Sequence, residues 1–556
     1  MKSALLCCGP VLEKFSDFDE IWSLGSLAQR RLSLQGVRSR NLFDVDLPDL
    51  DQGLRLRIEA GLEAETARGG ASAWADIAYQ HVQWRFVRYY QYRLRLEKLI
   101  EQLRVTRLVL SSGGDGDLTQ ACVAACQQLG VALEFREGPC DLSSSLLPFL
   151  ASYDLPDGVS GLESLAARVL ALYYRSKKTR VFYQPYNNLA KGYPDAAVLT
   201  WRRTVCFPGF NLPVPALKRP RSLLNLDTPI RLDHEVAFDP KVWLGFDGYD
   251  LDVLASAFSY FRQRYGRSQI DHLYRCCLTF FKQSGAHRVV LNSDNTCTTR
   301  LLSKVAKAQG LQVDYLPHGL IMEDVSLRMK TDCGVDRVLA WNVASADAFE
   351  QRGSLAEVII HPSNTGGEIH KRPLPTDLSG LRVLIMPPEW VGLSFASRPD
   401  CFERDLLDIM EALQRLGVKT AHVKCHNSVK AVLDAKLSML EAIRPHAPIE
   451  FTVIDSQIST QQLYDQFDLA IIGPTTGLLE ASRSSTPFVG FRALMQKAAL
   501  FNGYDFPHAD SADELLQCIR TYDVSMTDAQ CQRLGESLRA GLHPFSVALD
   551  AERSGP

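Results

Sequence analysis

Residues 287–320 read HRVVLNSDNTCTTRLLSKVAKAQGLQVDYLPHGL and contain the repeating unit of the fold. The aliphatic run HRVVL and the run LQVDY have the composition of buried strands, and the segment between them has helical character. A strand, a helix and a second strand in this order predict a parallel βαβ unit. Each strand is followed by a polar side chain, Asp294 in LNSDN and His318 in LPHGL.

The same alternation occurs along most of the chain. Before residue 370 it is present in SALLCC, in RLVLSSGGDGD with the helix and strand after it, and in DRVLAWN through EVIIHP; after residue 380 it restarts at LRVLIMPPEW and continues to PFVGF. We therefore predict an α/β fold with two Rossmann-like domains and a ligand cleft at the carboxyl ends of their sheets. The predicted parts are an N-terminal domain (1–370) with a largely helical insertion (136–284), a linker (371–380), a C-terminal domain (381–545) and a tail (546–556).

The composition is that of an ordinary globular protein, with 46% hydrophobic and 22% charged residues. A formal net charge of −3 gives no global field for binding nucleic acid. No apolar stretch of 18 residues is present, the fourteen cysteines include no CxxC pair, and MKSALLCCGP is expected to be a buried first strand. These features predict a cytoplasmic protein whose thiols are reduced.

The segment IIGPTTGLLEAS contains the strongest candidate for a phosphate site. Its strand ends in Gly-Pro, and the helix after it opens with free N–H groups and two threonine hydroxyls, a pattern that suits an anion. The alternative is that a threonine only caps the helix. The candidate donor-binding residues here are Gly473, Pro474, Thr475, Thr476, Gly477 and Glu480.

Two neighbouring strand ends add polar groups to this predicted site. In HVKCHNS, Lys424 and His426 alternate to the same side of the strand and could donate to an anion. In IMPPEW, Glu389 could contact a ribose or a base. Each of these residues could instead be an ordinary surface or turn residue.

In the predicted first domain, SSGGDGD places Asp115 and Asp117 among glycines, which allow a ligand to approach the backbone. A helix cap is the favoured role for Asp117 and Asn295. For Asp294 we favour a catalytic role together with His318, because catalytic pairs in such sheets come from different strand ends.

The order of these motifs resembles that of GT-B glycosyltransferases of bacterial surface polysaccharide synthesis. It is similar to capsule and lipopolysaccharide enzymes, including Kdo transferases and CDP-glycerol glycerophosphotransferases. The similarity covers residues 285–500 well, residues 1–135 loosely and the predicted insertion not at all. Asn427 stands where relatives often have arginine or proline, which leaves the exact phosphate contact open.

The resemblance implies transfer of a sugar, such as Kdo from a CMP-activated donor, to a surface glycan or its lipid-linked precursor, without metal or cofactor. The second domain would bind the donor, and Asp294, His318 and Asp115 would supply the catalytic groups. An aspartate would act as base or nucleophile, and His318 as base or as donor to the leaving phosphate. The alternatives are a glycerophosphotransferase and a non-catalytic nucleotide- or glycan-binding protein.

Two further stretches are rich in basic residues. The segment YYRSKKTR could contact an anionic membrane surface or remain solvated; its basic residues are Arg175, Lys177, Lys178 and Arg180. The arginine-rich run at 84–100 predicts a helix packed on a sheet with arginine stems along its rim, and we assign it no chemistry.

Overall fold

The computed structural model contains three parallel β-sheets. It describes residues 2–8, 15–45, 57–58, 60–61, 64, 74–111, 116–136, 172, 175–176, 181–183, 197–198, 238–264, 267–291, 297–317, 335–340, 343–351, 356–360, 370–387, 400–425, 430–456, 458–473, 477–492 and 504–539. Every strand pairing among these residues is parallel. The predicted α/β class with Rossmann-like sheets is therefore confirmed.

Sheet 1 has the strand order β3-β2-β1-β4-β5. Its strands are β1 (Ser3–Cys7), β2 (Glu20–Ser23), β3 (Arg40–Asn41), β4 (Arg107–Ser111) and β5 (Ala132–Arg136), and its helices are α1 (Ser26–Leu34), α2 (Trp74–Leu103) and α3 (Gly116–Leu129).

Sheet 2 has the order β11-β10-β9-β8-β6-β7. Its strands are β6 (Val181–Tyr183), β7 (Ala197–Val198), β8 (Arg288–Leu291), β9 (Gln312–Tyr315), β10 (Arg337–Ala340) and β11 (Glu357–Ile360). Its helices are α4 (Gly248–Arg264), α5 (Arg267–Ser284), α6 (Cys297–Ala308) and α7 (Val343–Gln351).

Sheet 3 has the order β14-β13-β12-β15-β16-β17. Its strands are β12 (Val383–Met386), β13 (Thr420–Lys424), β14 (Glu450–Ile454), β15 (Leu469–Ile472), β16 (Phe488–Phe491) and β17 (His508–Ala509). Its helices are α8 (Cys401–Arg415), α9 (Lys430–Ile443), α10 (Thr460–Tyr464), α11 (Gly477–Ser482), α12 (Ala512–Arg520) and α13 (Val524–Arg539).

The strands that precede the linker are divided between two sheets, whereas the sequence pattern suggested a single sheet. Part of the reason lies in the predicted insertion, which supplies two strands. β6 pairs with β8, and β7 pairs with β6, so the insertion completes one side of sheet 2. The described part of residues 136–284 therefore contains strands as well as helices.

Helix α2 joins sheets 1 and 2 through helical contacts. It packs against α3, α4 and α6. Apolar residues three or four positions apart are buried along it: Phe86, Tyr89, Tyr92 and Leu96. The expected arginine rim is wrong for Arg93 and Arg95, which are buried. Arg93 forms ion pairs with Glu97, Asp247 and Asp250.

The first residues of the predicted linker are fixed to the sheet 3 unit. The Lys371 ammonium is buried and donates to the backbone carbonyls of Ala481 and Ser484. The Arg372 N–H donates to the carbonyl of Ser485 at 2.8 Å. Burial lowers the pKa of Lys371 to about 8, against opposing effects of Cys531 and Asp528.

Candidate functional site

Each sheet has a topological switch point, where the chain changes the direction in which it adds strands. The switch lies between β1 and β4 in sheet 1, between β6 and β8 in sheet 2, and between β12 and β15 in sheet 3. In open parallel sheets, ligands bind in the crevice at the carboxyl ends of the strands that flank such a point. The topology therefore predicts where a ligand would bind on each sheet.

The candidate residues from the sequence follow these flanking strands. Asp115 follows β4, Asp294 follows β8, Glu389 follows β12, and Thr475 follows β15. These four residues, together with Pro474, Thr476, His426 and His318, lie outside the described residues. The structure does describe the strands that immediately precede these residues in the sequence.

Asp294 and His318 are related by the register of sheet 2. Leu291, the last residue of β8, is the register partner of Tyr315, the last residue of β9. The Leu316 N–H extends the pairing by donating to the carbonyl of Leu291 at 2.7 Å. Asp294 and His318 each lie three positions beyond these partners. Asp115 follows β4, which is a strand of sheet 1, whereas Asp294 and His318 follow strands of sheet 2.

In sheet 3 the strand ends around the switch point are also aligned. Met386 of β12 is the register partner of Ile472 of β15, and Glu389 and Thr475 each lie three positions further on. The Gly473 N–H donates to the carbonyl of Met386 at 2.7 Å. This N–H is therefore used in the sheet, and a phosphate could approach Gly473 only because the residue has no side chain.

Lys424 ends β13, beside β12, and is 5% exposed. Its ammonium lies 3.4 Å from the carbonyl oxygen of Ser456, just beyond β14. The interpretation of Lys424 as a solvated surface lysine is therefore wrong. It is a buried cation at the carboxyl edge of sheet 3.

Helix α11 follows the predicted phosphate segment. Gly477 begins it and is buried, and its carbonyl accepts a hydrogen bond from the Tyr464 hydroxyl at 2.8 Å. Glu480, in the first turn, is exposed. Burial, with a smaller effect of Glu480, raises the pKa of Tyr464 well above its ordinary value, so this hydroxyl remains a donor that fixes the start of the helix.

Asp117 anchors the start of α3 near the switch point of sheet 1. Its carboxylate is 1% exposed and accepts from Arg85 and Arg88 of α2. Burial alone would raise the pKa of Asp117, but the Arg88 and Arg85 guanidiniums hold it below its ordinary value. The expectation of a simple helix cap missed this ion-pair cluster, whose partners are about thirty residues apart in sequence.

A polar contact between the sheet 1 and sheet 3 units was not predicted from the sequence. Asp400, fully buried at the start of α8, accepts from the Ser26 hydroxyl at 2.7 Å and from the Asn41 amide at 2.9 Å. The Asn41 side-chain oxygen in turn accepts from the N–H of Gly25, whose φ of 93° favours glycine. Ser26 begins α1, the helix after β2, and Asp400 immediately precedes α8, the helix after β12. The contact therefore lies on the side of the carboxyl ends of both sheets.

A cleft of about 690 Å³ lies along the same contact. We call it the junction cleft; its charged and hydroxyl lining includes Ser26, Arg30, Arg38, Arg404, Asp408 and Arg492. The segment SLAQRRLSLQGVRSRN at 26–41 has four arginines and no acidic residue. This excess of positive charge is the feature of the sequence from which the junction cleft could have been predicted.

The predicted membrane-contacting stretch is described only at Arg175 and Ser176, which are exposed in a helical segment. Lys177, Lys178 and Arg180 lie outside the described residues. Within the ranges that the structure describes, no helix is long and apolar enough to cross a membrane. The same ranges contain no group of three or more side chains suited to holding a metal ion.

No protein-family model and no curated protein matches the chain. Among solved structures, it is similar to a glycosyltransferase from Rickettsia africae, with 11% identity, a TM-score of 0.36, and coverage of 68% of this chain and 97% of that one. A Methanocaldococcus jannaschii UDP-GlcNAc 2-epimerase, solved with UDP-GlcNAc and UDP, has 10% identity, a TM-score of 0.36, and coverage of 64% and 99%.

Anabaena HepE, solved with UDP and glucose, has 14% identity, a TM-score of 0.35, and coverage of 51% of this chain and 80% of that one. These identities and TM-scores are low, and the three proteins include both transferases and an epimerase. The similarity therefore does not assign a reaction to this chain.

Proposed function

We propose that this protein is a glycosyltransferase that uses a nucleotide-activated sugar. The observation that carries the proposal is the shared register of two strand ends in sheet 2. Asp294 and His318 each lie three residues beyond register partners on adjacent strands, β8 and β9, and β8 flanks the switch point. A carboxylate and an imidazole at one sheet edge are the groups that proton transfer to or from a hydroxyl requires.

The donor would bind at sheet 3. Glu389 and Thr475 follow register partners on both sides of its switch point, and Thr476 and Gly477 continue toward α11. Threonine hydroxyls and free N–H groups suit the phosphate of a nucleotide. His426 follows the buried Lys424 by two residues, and both would add positive charge or hydrogen-bond donors near the leaving phosphate.

The catalytic roles follow from the chemistry of sugar transfer. Asp294 would take the proton of the acceptor hydroxyl if the reaction inverts, or attack the anomeric carbon if it retains configuration. His318 would be a second base, or in its protonated form a donor to the leaving phosphate. Asp115 follows a strand of a different sheet, so we assign it a role outside this pair, as a candidate group for the acceptor.

The finer proposal concerns the substrates. The motif order resembles that of capsule and lipopolysaccharide enzymes, which supports an acidic sugar such as Kdo with a CMP donor, and a bacterial surface glycan or its lipid-linked precursor as acceptor. The basic stretch with Arg175, Lys177, Lys178 and Arg180 would then contact the inner face of the membrane through anionic lipids.

The test is to incubate the full chain with CMP-Kdo, UDP-sugars and CDP-glycerol in turn, with lipid-linked glycan as acceptor. Nucleotide release and the mass of the product are measured. An acceptor that gains one sugar residue supports the proposal. A gain of glycerol phosphate would identify a glycerophosphotransferase, and donor binding without any product would identify a binding protein; either result contradicts the proposal.

Asp294→Asn is expected to lower turnover by a factor of ~100 or more while donor binding is unchanged, because it removes a base or nucleophile. The matched control is Asp336→Asn, since Asp336 pairs with Lys307 just before β10, at the amino edge of the same sheet. Equal losses in the two variants would show that Asp294 has only a structural role.

A further inference from the structure

The sheet 1 side of the junction cleft has charges that favour an anion. Four of the side chains that line the cleft are arginines and two are aspartates. On the sheet 3 side, Arg404 and Arg492 are balanced by Asp408, by Asp405, which pairs with both, and by Asp400, which accepts from Ser26 of the lining. The positive charge open to an anion is therefore that of Arg30 and Arg38. Positive charge concentrated in a concave site raises the local concentration of anions.

Two of the arginines have donors to offer a ligand. Arg38 is exposed and has neither a hydrogen bond nor an ion pair with the part of the chain that the structure describes. Arg30 uses its Nε to donate to the carbonyl of His446 at 2.7 Å, which positions the guanidinium at the cleft. Guanidinium groups match phosphate oxygens with paired N–H donors.

The backbone of Arg492 is strained where it borders the cleft. Its φ is 56°, in the left-handed region that non-glycine residues seldom adopt. The Arg492 N–H donates to the carbonyl of Ala509, and its side chain pairs with Asp405 and Asp408 of α8. Strained residues held by their surroundings cluster at ligand sites. This observation is independent of the charge count and indicates the same cleft.

The lining also limits the chemistry of the ligand. Val37 and Leu407 are its apolar members, and no aromatic side chain borders the described cleft. A nucleobase or a neutral sugar ring would find no stacking surface here. Recognition would depend on charge-assisted hydrogen bonds.

We propose that the junction cleft binds a small phosphate-bearing ligand, and that this ligand holds the sheet 1 and sheet 3 units together. Arg30 and Arg38 belong to the sheet 1 unit, whereas Arg404 and Arg492 belong to the sheet 3 unit. A ligand that contacts both sides is released when the units separate, so its binding stabilises their contact. The site lies along the flanks of α1 and α8, and it does not depend on the proposed transferase activity.

The test is calorimetric titration of the full chain with inorganic pyrophosphate. Arg38→Gln is the main variant, because Arg38 is exposed and its replacement leaves the fold intact. We expect its Kd for pyrophosphate to rise about tenfold, and that of Arg30→Gln similarly. Arg40→Gln is the matched control: Arg40 is two residues away and exposed, but it pairs with Glu20 outside the cleft. Its Kd should equal that of the wild type.

Hydrogen exchange provides the second measurement. Pyrophosphate should slow exchange in α1 of the wild type and of Arg40→Gln, and should have less effect in Arg38→Gln. Equal weakening in Arg38→Gln and Arg40→Gln would show nonspecific attraction and overturn the proposal. Absence of pyrophosphate binding, or binding only to vesicles of phosphatidylglycerol, would also overturn it. Both measurements detect pyrophosphate binding and not sugar transfer, so a failure of the proposed transferase function would not change their results.

Discussion

Replacement of Asp117 by asparagine should destabilise the sheet 1 unit more than any other single charge removal that we consider. The carboxylate is 1% exposed and accepts from both Arg85 and Arg88, whose side chains are 18% and 12% exposed. Asparagine has the same shape, so packing is conserved. The change removes the negative charge, so the two largely buried guanidiniums of Arg85 and Arg88 lose the carboxylate that neutralises them.

Loss of one partner from a buried ion pair costs about 3–5 kcal/mol, since the remaining charge stays desolvated. Both arginines retain some exposure to water, which places the expected loss at the lower end, ~3 kcal/mol. Because ~1.4 kcal/mol corresponds to a factor of ten, exchange of the buried amides of α3 should accelerate by roughly a hundredfold.

Hydrogen exchange with mass spectrometry is the appropriate assay, because a chain with three sheets does not unfold in two states. Peptides from α3 and β4 are followed at pH 7. Glu134→Gln is the control: it removes the same charge from the same sheet, but Glu134 is 41% exposed beside Arg107 and Arg136. Such exposed pairs contribute little. Equal acceleration in both variants, or none in Asp117→Asn, would refute the reasoning.

The difference between wild type and Asp117→Asn should also depend on pH. Despite burial, the two arginines hold the folded-state pKa of Asp117 below its ordinary value. A carboxyl of this kind contributes its full stabilisation above the unfolded-state pKa of about 3.9, and loses it as the pH falls through the folded-state value. The two proteins should therefore converge in stability in acid.

Three further predictions concern other parts of the chain. Lys371→Met should abolish a rise in the stability of the wild type between pH 8 and about 10.4. In this window Lys371 is still protonated in the unfolded chain, whereas the buried side chain in the folded protein is not. Denaturant titrations across this pH range measure the rise. Asp400→Ala should speed hydrogen exchange in α1 by roughly tenfold, as loss of one or two hydrogen bonds to a buried carboxylate implies, with exchange in α13 unchanged. The double variant Asp294→Asn with His318→Ala should lose no more turnover than the worse single variant, and additive losses would contradict their action as a unit.

The strand–helix alternation was readable from sequence because buried parallel strands are short aliphatic runs. The runs at β1, β4, β8 and β12 were each recognised from this pattern, and the α/β class followed. β2 escaped notice because its sequence, EIWS, contains a single aliphatic residue, Ile21. The division into sheets 1 and 2 also escaped, since the composition of a strand does not specify which strand it pairs with.

In the candidate site, too, features that depend on neighbouring residues in the sequence could be predicted, whereas contacts between distant residues could not. Polar residues just beyond strand ends are local features, and Asp294, His318 and Thr475 were predicted as site residues in this way. The Asp400 contact joins residues more than 350 positions apart, and the Arg93 pair with Asp250 spans 157 positions. Such contacts depend on how distant elements pack, and a single sequence contains no direct signal for them.

The position of α2 between two sheets has a consequence for synthesis of the chain. Sheet 1 is complete when residue 136 has been made, but α6, which covers part of α2, begins only at Cys297. About 160 residues separate the end of β5 from the start of α6, and translation at ~5–20 residues per second takes ~8–32 s to cross that distance. During this time the ribosome-bound chain holds a finished sheet with an uncovered helix surface, which makes that surface a natural target for chaperones.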